Sequence, residues 1–163
     1  MRRWLKPAGL LLIAVFVVIQ FIPVDRTNPP IDRAKAIYSA GTVPQDVSII
    51  LRQSCQDCHS NETHWPWYSH IAPVSWLVAS DVHEARNELN LSEWNSYTES
   101  RKEDKLEEIC KQLRAGEMPD GMYTLIHANA RMNDAQRALV CKWTETARKT
   151  LTGSFTNPAT VAQ

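Results

Sequence analysis

Residues 55–59 of the chain read Cys55-Gln56-Asp57-Cys58-His59, a C-x-x-C-H sequence. This pattern is typical of c-type haem attachment, in which two thiols form thioethers with the porphyrin vinyl groups and the histidine binds iron. Cysteines three positions apart lie close together on a helical turn, so both reach one edge of the macrocycle and the next residue is carried under the iron. The motif predicts one covalently attached haem c per chain, with Cys55, Cys58 and His59 as its binding residues and His59 as an iron ligand.

Three other interpretations of the motif are weaker. A thioredoxin-like redox pair follows a strand in a βαβ setting, and no such setting is present here. Half of a zinc site would need a second C-x-x-C or H-x₃-H pair, which the sequence lacks. A structural disulfide across only two intervening residues is uncommon.

The sequence after residue 43 predicts helices. Apolar residues recur at helical spacing in four segments, and no stretch alternates with the period of two that marks a strand. The first segment covers residues 47–58, Pro73 and Ser100 are predicted to begin the next two, and Asn133 or Asp134 is predicted to cap the last. The predicted stripes are Val74, Leu77, Val78, Val82, Ala85 and Leu89; Leu106, Ile109, Cys110 and Leu113; and Leu139, Val140, Trp143 and Ala147. The predicted class is all-α, a small cytochrome c-like domain around one covalent haem.

The N-terminal segment predicts membrane targeting. Residues 7–24, PAGLLLIAVFVVIQFIPV, carry no charge and follow Arg2, Arg3 and Lys6. A stretch of about 18 uncharged residues is at the lower limit for a transmembrane helix, and the positive flank places the N-terminus in the cytoplasm. A cleaved signal sequence is the alternative, although the apolar region is long and no A-x-A-like site follows. We expect an N-terminal transmembrane helix in the inner membrane, with the haem domain in the periplasm, or secretion to the periplasm if the segment is cleaved.

The charge balance of the chain bears on its function, and the sequence divides into four parts. The chain has 163 residues with 18 basic and 18 acidic side chains, and the part from Asp25 onward has 15 basic and 18 acidic, a net of −3. This balance argues against nucleic-acid binding. We predict a membrane anchor or signal sequence at 1–24, a tether at 25–43, the haem-binding cytochrome c-like domain at 44–151 and a tail at 152–163.

The second iron ligand has two main candidates. Met118 stands between a predicted helix and a loop, and Pro119 after it stiffens the backbone that would hold a weak thioether ligand. Methionine also raises the reduction potential relative to a second imidazole. His127 is the other candidate, and it could instead donate to a haem propionate. Trp65 and Trp67 could pack the porphyrin edge while their N–H groups donate to a propionate, or they could anchor a hydrophobic loop.

Two longer stretches carry a family resemblance. Residues 55–82, CQDCHSNETHWPWYSHIAPVSWLVASDV, and residues 116–136, GEMPDGMYTLIHANARMNDAQ, resemble the small haem-binding domain family of monohaem c-type cytochromes. The resemblance covers roughly residues 44–146. It implies covalent haem at Cys55 and Cys58, His59 as the proximal ligand, a methionine-proline pair at Met118 and a histidine at His127. It leaves open which of Met118 and His127 completes the coordination.

Together these features predict a membrane-tethered periplasmic cytochrome that passes single electrons between redox proteins and is not itself an enzyme. The alternative is a peroxidase-like enzyme or a gas or redox sensor with a labile sixth iron ligand. Cys110 and Cys141 remain after haem attachment. An oxidising compartment favours a disulfide between them, with two buried free thiols as the alternative.

Overall fold

The computed structural model describes residues 2–39, 41 and 43–155, and it is helical with no strand within these ranges. The α-helices are α1 (Arg2–Ile19), α2 (Gln45–Ser54), α3 (Val74–Glu88), α4 (Glu99–Ala115), α5 (Gly121–Ile126) and α6 (Asp134–Phe155). Short 3₁₀ turns lie at Trp67–His70, Trp94–Ser96 and Ala128–Ala130. The all-α prediction is confirmed. The first predicted segment, residues 47–58, corresponds to α2, which ends earlier than expected, at Ser54. Helix α5 was not predicted.

Helices α4 and α6 pack against each other and contribute to one core together with α2. Leu106 and Leu113 of α4 and Val140 and Trp143 of α6 are all buried. A disulfide joins Cys110 to Cys141, with their Cα atoms 4.8 Å apart. By loop-closure entropy, a crosslink between residues 31 apart contributes about 3–4 kcal/mol. The apolar spacing of α6 had placed Cys141 off the core face, but Cys141 is buried and lies against α4.

The helix ends follow local capping chemistry. Helix α4 begins after Thr98, whose hydroxyl accepts from the Arg101 N–H at 3.3 Å, and not at Ser100 as predicted. Ser100 lies inside the first turn, whereas Thr98 has the extended backbone that a capping residue needs. Gly116 ends the helix with a φ of 76°, a left-handed conformation that glycine adopts without strain.

Helix α3 buries only part of the apolar stripe that the sequence predicts. Val82 is buried as predicted, whereas Val74 and Leu77 are 42% and 55% exposed. The other buried residues of α3 are the small Ser75 and Ala79, and the helix packs against the turn Trp67–His70. Part of the predicted stripe is therefore left on the outside.

No helix in the described part of the chain is long and apolar enough to cross a membrane. The transmembrane helix predicted within residues 7–24 is therefore not supported. Helix α1 includes Arg2, Arg3 and Lys6 within its bounds and ends at Ile19, before the predicted apolar segment is complete. Its apolar side chains from Leu10 to Val18 are exposed.

The segment predicted as a tether contacts the helical domain. Ile37 is buried, and its N–H donates to the Leu91 carbonyl at 2.9 Å. Asn28 donates to the Thr63 carbonyl at 2.9 Å, and Arg86 donates to the Asn28 side chain at 2.7 Å. The boundary at residue 44 stays a prediction. Of the predicted tail, residues 152–155 belong to α6 and residues 156–163 lie outside the described residues.

Candidate functional site

The C-x-x-C-H motif forms one tight turn directly after α2. The N–H groups of Cys55 and Gln56 donate to the Leu51 carbonyl at 2.9 and 3.0 Å, and the His59 N–H donates to the Cys55 carbonyl at 2.9 Å. These bonds continue the helical winding past Ser54. The turn therefore brings two thiols and an imidazole onto one short piece of backbone, as the sequence predicted.

Both motif cysteines are free thiols. Burial raises the pKa of the Cys55 thiol to about 12 and that of the Cys58 thiol to about 11. The nearby Asp57 carboxylate adds to the increase at Cys58. Both sulfurs are therefore protonated at neutral pH, and the net addition of a thiol to a carbon–carbon double bond uses both the sulfur and this hydrogen.

The Nδ1 atom of the His59 imidazole lies within hydrogen-bond distance of two backbone carbonyls. It lies 2.9 Å from the Ala85 oxygen and 3.0 Å from the Leu89 oxygen, both at the end of α3. Carbonyl oxygens only accept, so Nδ1 carries the proton and Nε2 presents its lone pair. Burial lowers the pKa of His59, which favours this neutral form. A fixed tautomer with an N–H donated to a carbonyl is typical of metal-binding histidines.

Large apolar side chains of α3 and of the segment around α5 are exposed. The carboxylates of Asp81 on α3 and Asp120 before α5 add to the increase in the pKa of Cys58. Apolar side chains on these two segments are exposed: Val74, Leu77, Met118, Met122, Leu125 and Ile126. Contiguous exposed apolar surface marks binding sites, so these side chains are candidates for contact with a bound apolar group.

The loop between α4 and α5 holds Met118 by its backbone. The Met118 N–H donates to the Gln112 carbonyl at 3.4 Å, and its carbonyl accepts from Arg137 at 3.1 Å. Its peptide bond to Pro119 is cis, and Pro119 is buried. The Met118 side chain is 38% exposed.

The sequence profile of the haem-binding domain family matches residues 14–146. The chain belongs to this family. The match includes the C-x-x-C-H motif, helices α2 to α5 and more than half of α6. No curated protein and no solved structure matches the chain. Membership supports haem as the group that this haem-binding domain binds.

In this haem-binding domain, His127 is engaged by two aromatic residues. Its Nε2 lies 2.6 Å from the Tyr68 hydroxyl oxygen. Its ring stacks on Tyr123, with centroids 4.4 Å apart and an interplanar angle of 18°. His127, the alternative to Met118 as the second iron ligand, therefore has its Nε2 in a short hydrogen bond with Tyr68.

Three residues at the site were missed by sequence reasoning. Tyr123 donates from its hydroxyl to the Asp57 carboxylate at 2.9 Å, and Asp57 also lies 3.1 Å from His64 Nδ1. Tyr68 pairs with His127 as described. Tyr123 and Asp57 are 66 residues apart in the chain, and Tyr68 and His127 are 59 apart, so no local pattern could have linked them.

The two tryptophans that follow the motif have different surroundings. The Trp65 N–H donates to the Asn28 side chain at 3.2 Å, so this donor faces the segment before α2. Trp67 is 75% exposed and meets Tyr68 edge to face, with ring centroids 5.8 Å apart. Trp65 thus fixes an adjoining segment, whereas Trp67 leaves most of its ring accessible.

Proposed function

We propose that this haem-binding domain is a monohaem c-type cytochrome that carries single electrons between redox proteins. The observation that carries the proposal is the C-x-x-C-H turn, which has two free thiols and a histidine, His59, whose Nδ1 lies within hydrogen-bond distance of two backbone carbonyls. When bound, haem supplies an iron centre that cycles between two oxidation states. The protein residues hold that centre, fix its ligands and limit its contact with water.

Cys55 and Cys58 are the covalent attachment residues in this proposal. Each thiol adds its sulfur to one carbon of a vinyl group and its hydrogen to the other carbon, so no oxidant or reductant is consumed. His59 then binds iron through Nε2, because its Nδ1 donates to the carbonyls of Ala85 and Leu89.

Met118 is the proposed sixth ligand. Support comes from the contrast with His127, whose Nε2 is in a 2.6 Å hydrogen bond with Tyr68. The Met118 backbone is held at both its N–H and its carbonyl, and its thioether side chain is on the exposed apolar surface. If His59 and Met118 both hold the iron, they would leave no ligand position for a substrate. We therefore propose an electron carrier, not an enzyme.

We also propose that the domain works in the periplasm and associates with the inner membrane. The disulfide between Cys110 and Cys141 supports an oxidising compartment. The exposed apolar side chains of α1 and the preceding basic residues support membrane association. Its redox partners would then be periplasmic or membrane proteins. Cell fractionation followed by haem staining tests this location: recovery of the stained protein in the cytosol would contradict it.

The absorption spectrum of the full chain tests the ligand assignment. The chain is expressed with the cytochrome c maturation machinery as wild type, Met118→Ala and His127→Gln. We expect low-spin ferric iron with the weak red charge-transfer band of an iron–thioether bond, lost in Met118→Ala and retained in His127→Gln. High-spin iron in the wild type that binds cyanide readily would favour the sensor or peroxidase-like alternative.

A further inference from the structure

Two hydrogen bonds fasten α5 to the haem motif and to the turn that follows it. Tyr123 donates to the Asp57 carboxylate at 2.9 Å, and Asp57 lies between the two motif cysteines. His127 and Tyr68 are joined at 2.6 Å. The stacked rings of Tyr123 and His127 combine these bonds into one group, which we term the aromatic cluster (Tyr68, Tyr123 and His127).

Helix α5 depends on these polar contacts for its position. It has no buried residue, and Met122, Leu125 and Ile126 are exposed. Apolar packing within the described protein therefore does little to hold it. The hydrogen bonds of the aromatic cluster, together with that from Arg131 to the Thr124 carbonyl at 3.0 Å, supply the restraint.

Met118 is mechanically connected to the aromatic cluster through the start of α5. Asp120 caps the helix by accepting from the N–H groups of Met122 and Tyr123 at 2.8 and 3.0 Å. This cap makes the residues between Met118 and Tyr123 a short, restrained segment. A displacement of Tyr123 would therefore also displace Met118.

We propose that Tyr123 and His127 are positioning residues that keep Met118 on the haem iron. This inference rests on the proposed function. Asp57 and Tyr68 are the fixed partners, because both belong to the haem-motif side of the site. The hydrogen bond between Tyr123 and Asp57 connects the segment that contains Met118, the proposed sixth ligand, to the turn that contains His59, the proposed fifth ligand. When the aromatic cluster opens, the thioether leaves and the sixth position becomes available to an external ligand.

The hydrogen bond between Tyr123 and Asp57 is of a strong type. A hydroxyl that donates to a carboxylate makes a charge-assisted bond, stronger than one between neutral groups. Burial and this bond raise the pKa of Tyr123, so its hydroxyl stays protonated and continues to donate over the physiological pH range.

Tyr123→Phe tests the proposal with little change of shape. The phenyl ring retains its stack on His127 and loses only the donor to Asp57. We expect the apparent affinity of the ferric protein for cyanide to rise about tenfold, because loss of a charge-assisted hydrogen bond increases the open fraction by about this factor. The red charge-transfer band remains, since the closed state still dominates. Tyr68→Phe, which removes the partner of His127, is expected to act in the same direction.

Tyr97→Phe is the matched control. The half-buried Tyr97 hydroxyl accepts from the Asn90 N–H at 2.8 Å, and its ring packs against Trp94, outside the aromatic cluster. It should lose a similar amount of stability while leaving cyanide affinity unchanged. An equal rise in Tyr97→Phe would overturn the proposal, because it would indicate general loosening of the fold.

The remaining outcomes separate this inference from the proposed function. Unchanged cyanide affinity in both Tyr123→Phe and Tyr68→Phe, in a protein whose wild type shows the thioether band, overturns only the positioning role. Absence of that band in the wild type overturns Met118 ligation, and the positioning role with it. Absence of covalent haem overturns the proposed function itself.

Discussion

The α4–α6 pair and the haem-motif side of the chain, residues 45–80 and 117–130, are stabilised in different ways. In the pair, the large apolar side chains cover one another, with Leu106 only 1% exposed, and a disulfide links the helices. On the haem-motif side, Leu125 is 68% exposed, and the hydrogen bonds Tyr123–Asp57 and Tyr68–His127 hold the segments together. The comparison indicates that α4 and α6 bury large apolar side chains within the protein, whereas α5 leaves its own exposed.

The largest expected effect comes from removing both attachment thiols. Cys55→Ser/Cys58→Ser should abolish covalent haem, because no thioether can then form. Without its cover, the haem-motif side should exchange its amide hydrogens faster, while α4 and α6 keep their protection. Hydrogen exchange by mass spectrometry on peptides from residues 45–80 and 117–130, against 99–115 and 134–151, makes the comparison. Equal loss of protection in both sets would contradict it.

The disulfide is the corresponding test of the other half. Cys110→Ser/Cys141→Ser should lower the free energy of unfolding by about 3–4 kcal/mol, since the bridge restricts the unfolded chain. Haem content should stay at one per chain, because Cys110 and Cys141 lie on α4 and α6, outside the C-x-x-C-H turn and the Met118 loop. Denaturant unfolding and the pyridine haemochrome assay measure the two quantities. A variant that loses haem in proportion to its stability would show that the halves are coupled.

A pair of leucine truncations makes the same comparison at single residues. Leu106→Ala should cost about 2–5 kcal/mol whether or not haem is attached, because it leaves a cavity in a core made by the protein alone. Leu125→Ala should cost no more than about 0.5 kcal/mol in the Cys55→Ser/Cys58→Ser background, where its side chain is exposed. In the haem-loaded protein its cost should increase. If Leu125→Ala lowered the free energy of unfolding equally with and without haem, the macrocycle would not cover Leu125.

The smallest predicted effect concerns a carboxylate beside the motif. Burial, followed by the charges of Asp120 and Glu84, raises the pKa of Asp81. The folded state therefore disfavours the ionised carboxylate, and this group reduces stability once pH rises above its unfolded value. Asp81→Asn should stabilise the protein by a few tenths of a kcal/mol at pH 7, a small effect because the side chain is exposed to solvent screening. The gain should vanish near pH 3, which thermal unfolding at both pH values would measure.

Sequence reasoning was most successful where the chemistry is local. The spacing of Leu106, Cys110 and Leu113 predicted the core face of α4, and Gly116 marked its end. The motif brought Cys55, Cys58 and His59 together because all three belong to one turn. These features depend on residues a few positions apart, which a sequence displays directly.

The prediction failed where an apolar residue does not face protein. Val74 and Leu77 were assigned to the core, but they are exposed in α3, where the small Ser75 and Ala79 are buried instead. Apolar spacing cannot distinguish a surface covered by protein from one covered by a cofactor. The contacts of Tyr68 and Tyr123 were missed for another reason, since they join segments that only tertiary packing brings together.

The intact mass of the full chain, produced with the cytochrome c maturation machinery and denatured before measurement, tests the central claim most directly. We predict a protein that retains the mass of one haem through Cys55 and Cys58 after denaturation and extraction into acidified solvent. In the Cys55→Ser/Cys58→Ser variant the extra mass should be absent. A wild-type chain that shows only the mass of the polypeptide, with haem entirely in the solvent phase, would contradict covalent attachment and the c-type cytochrome function.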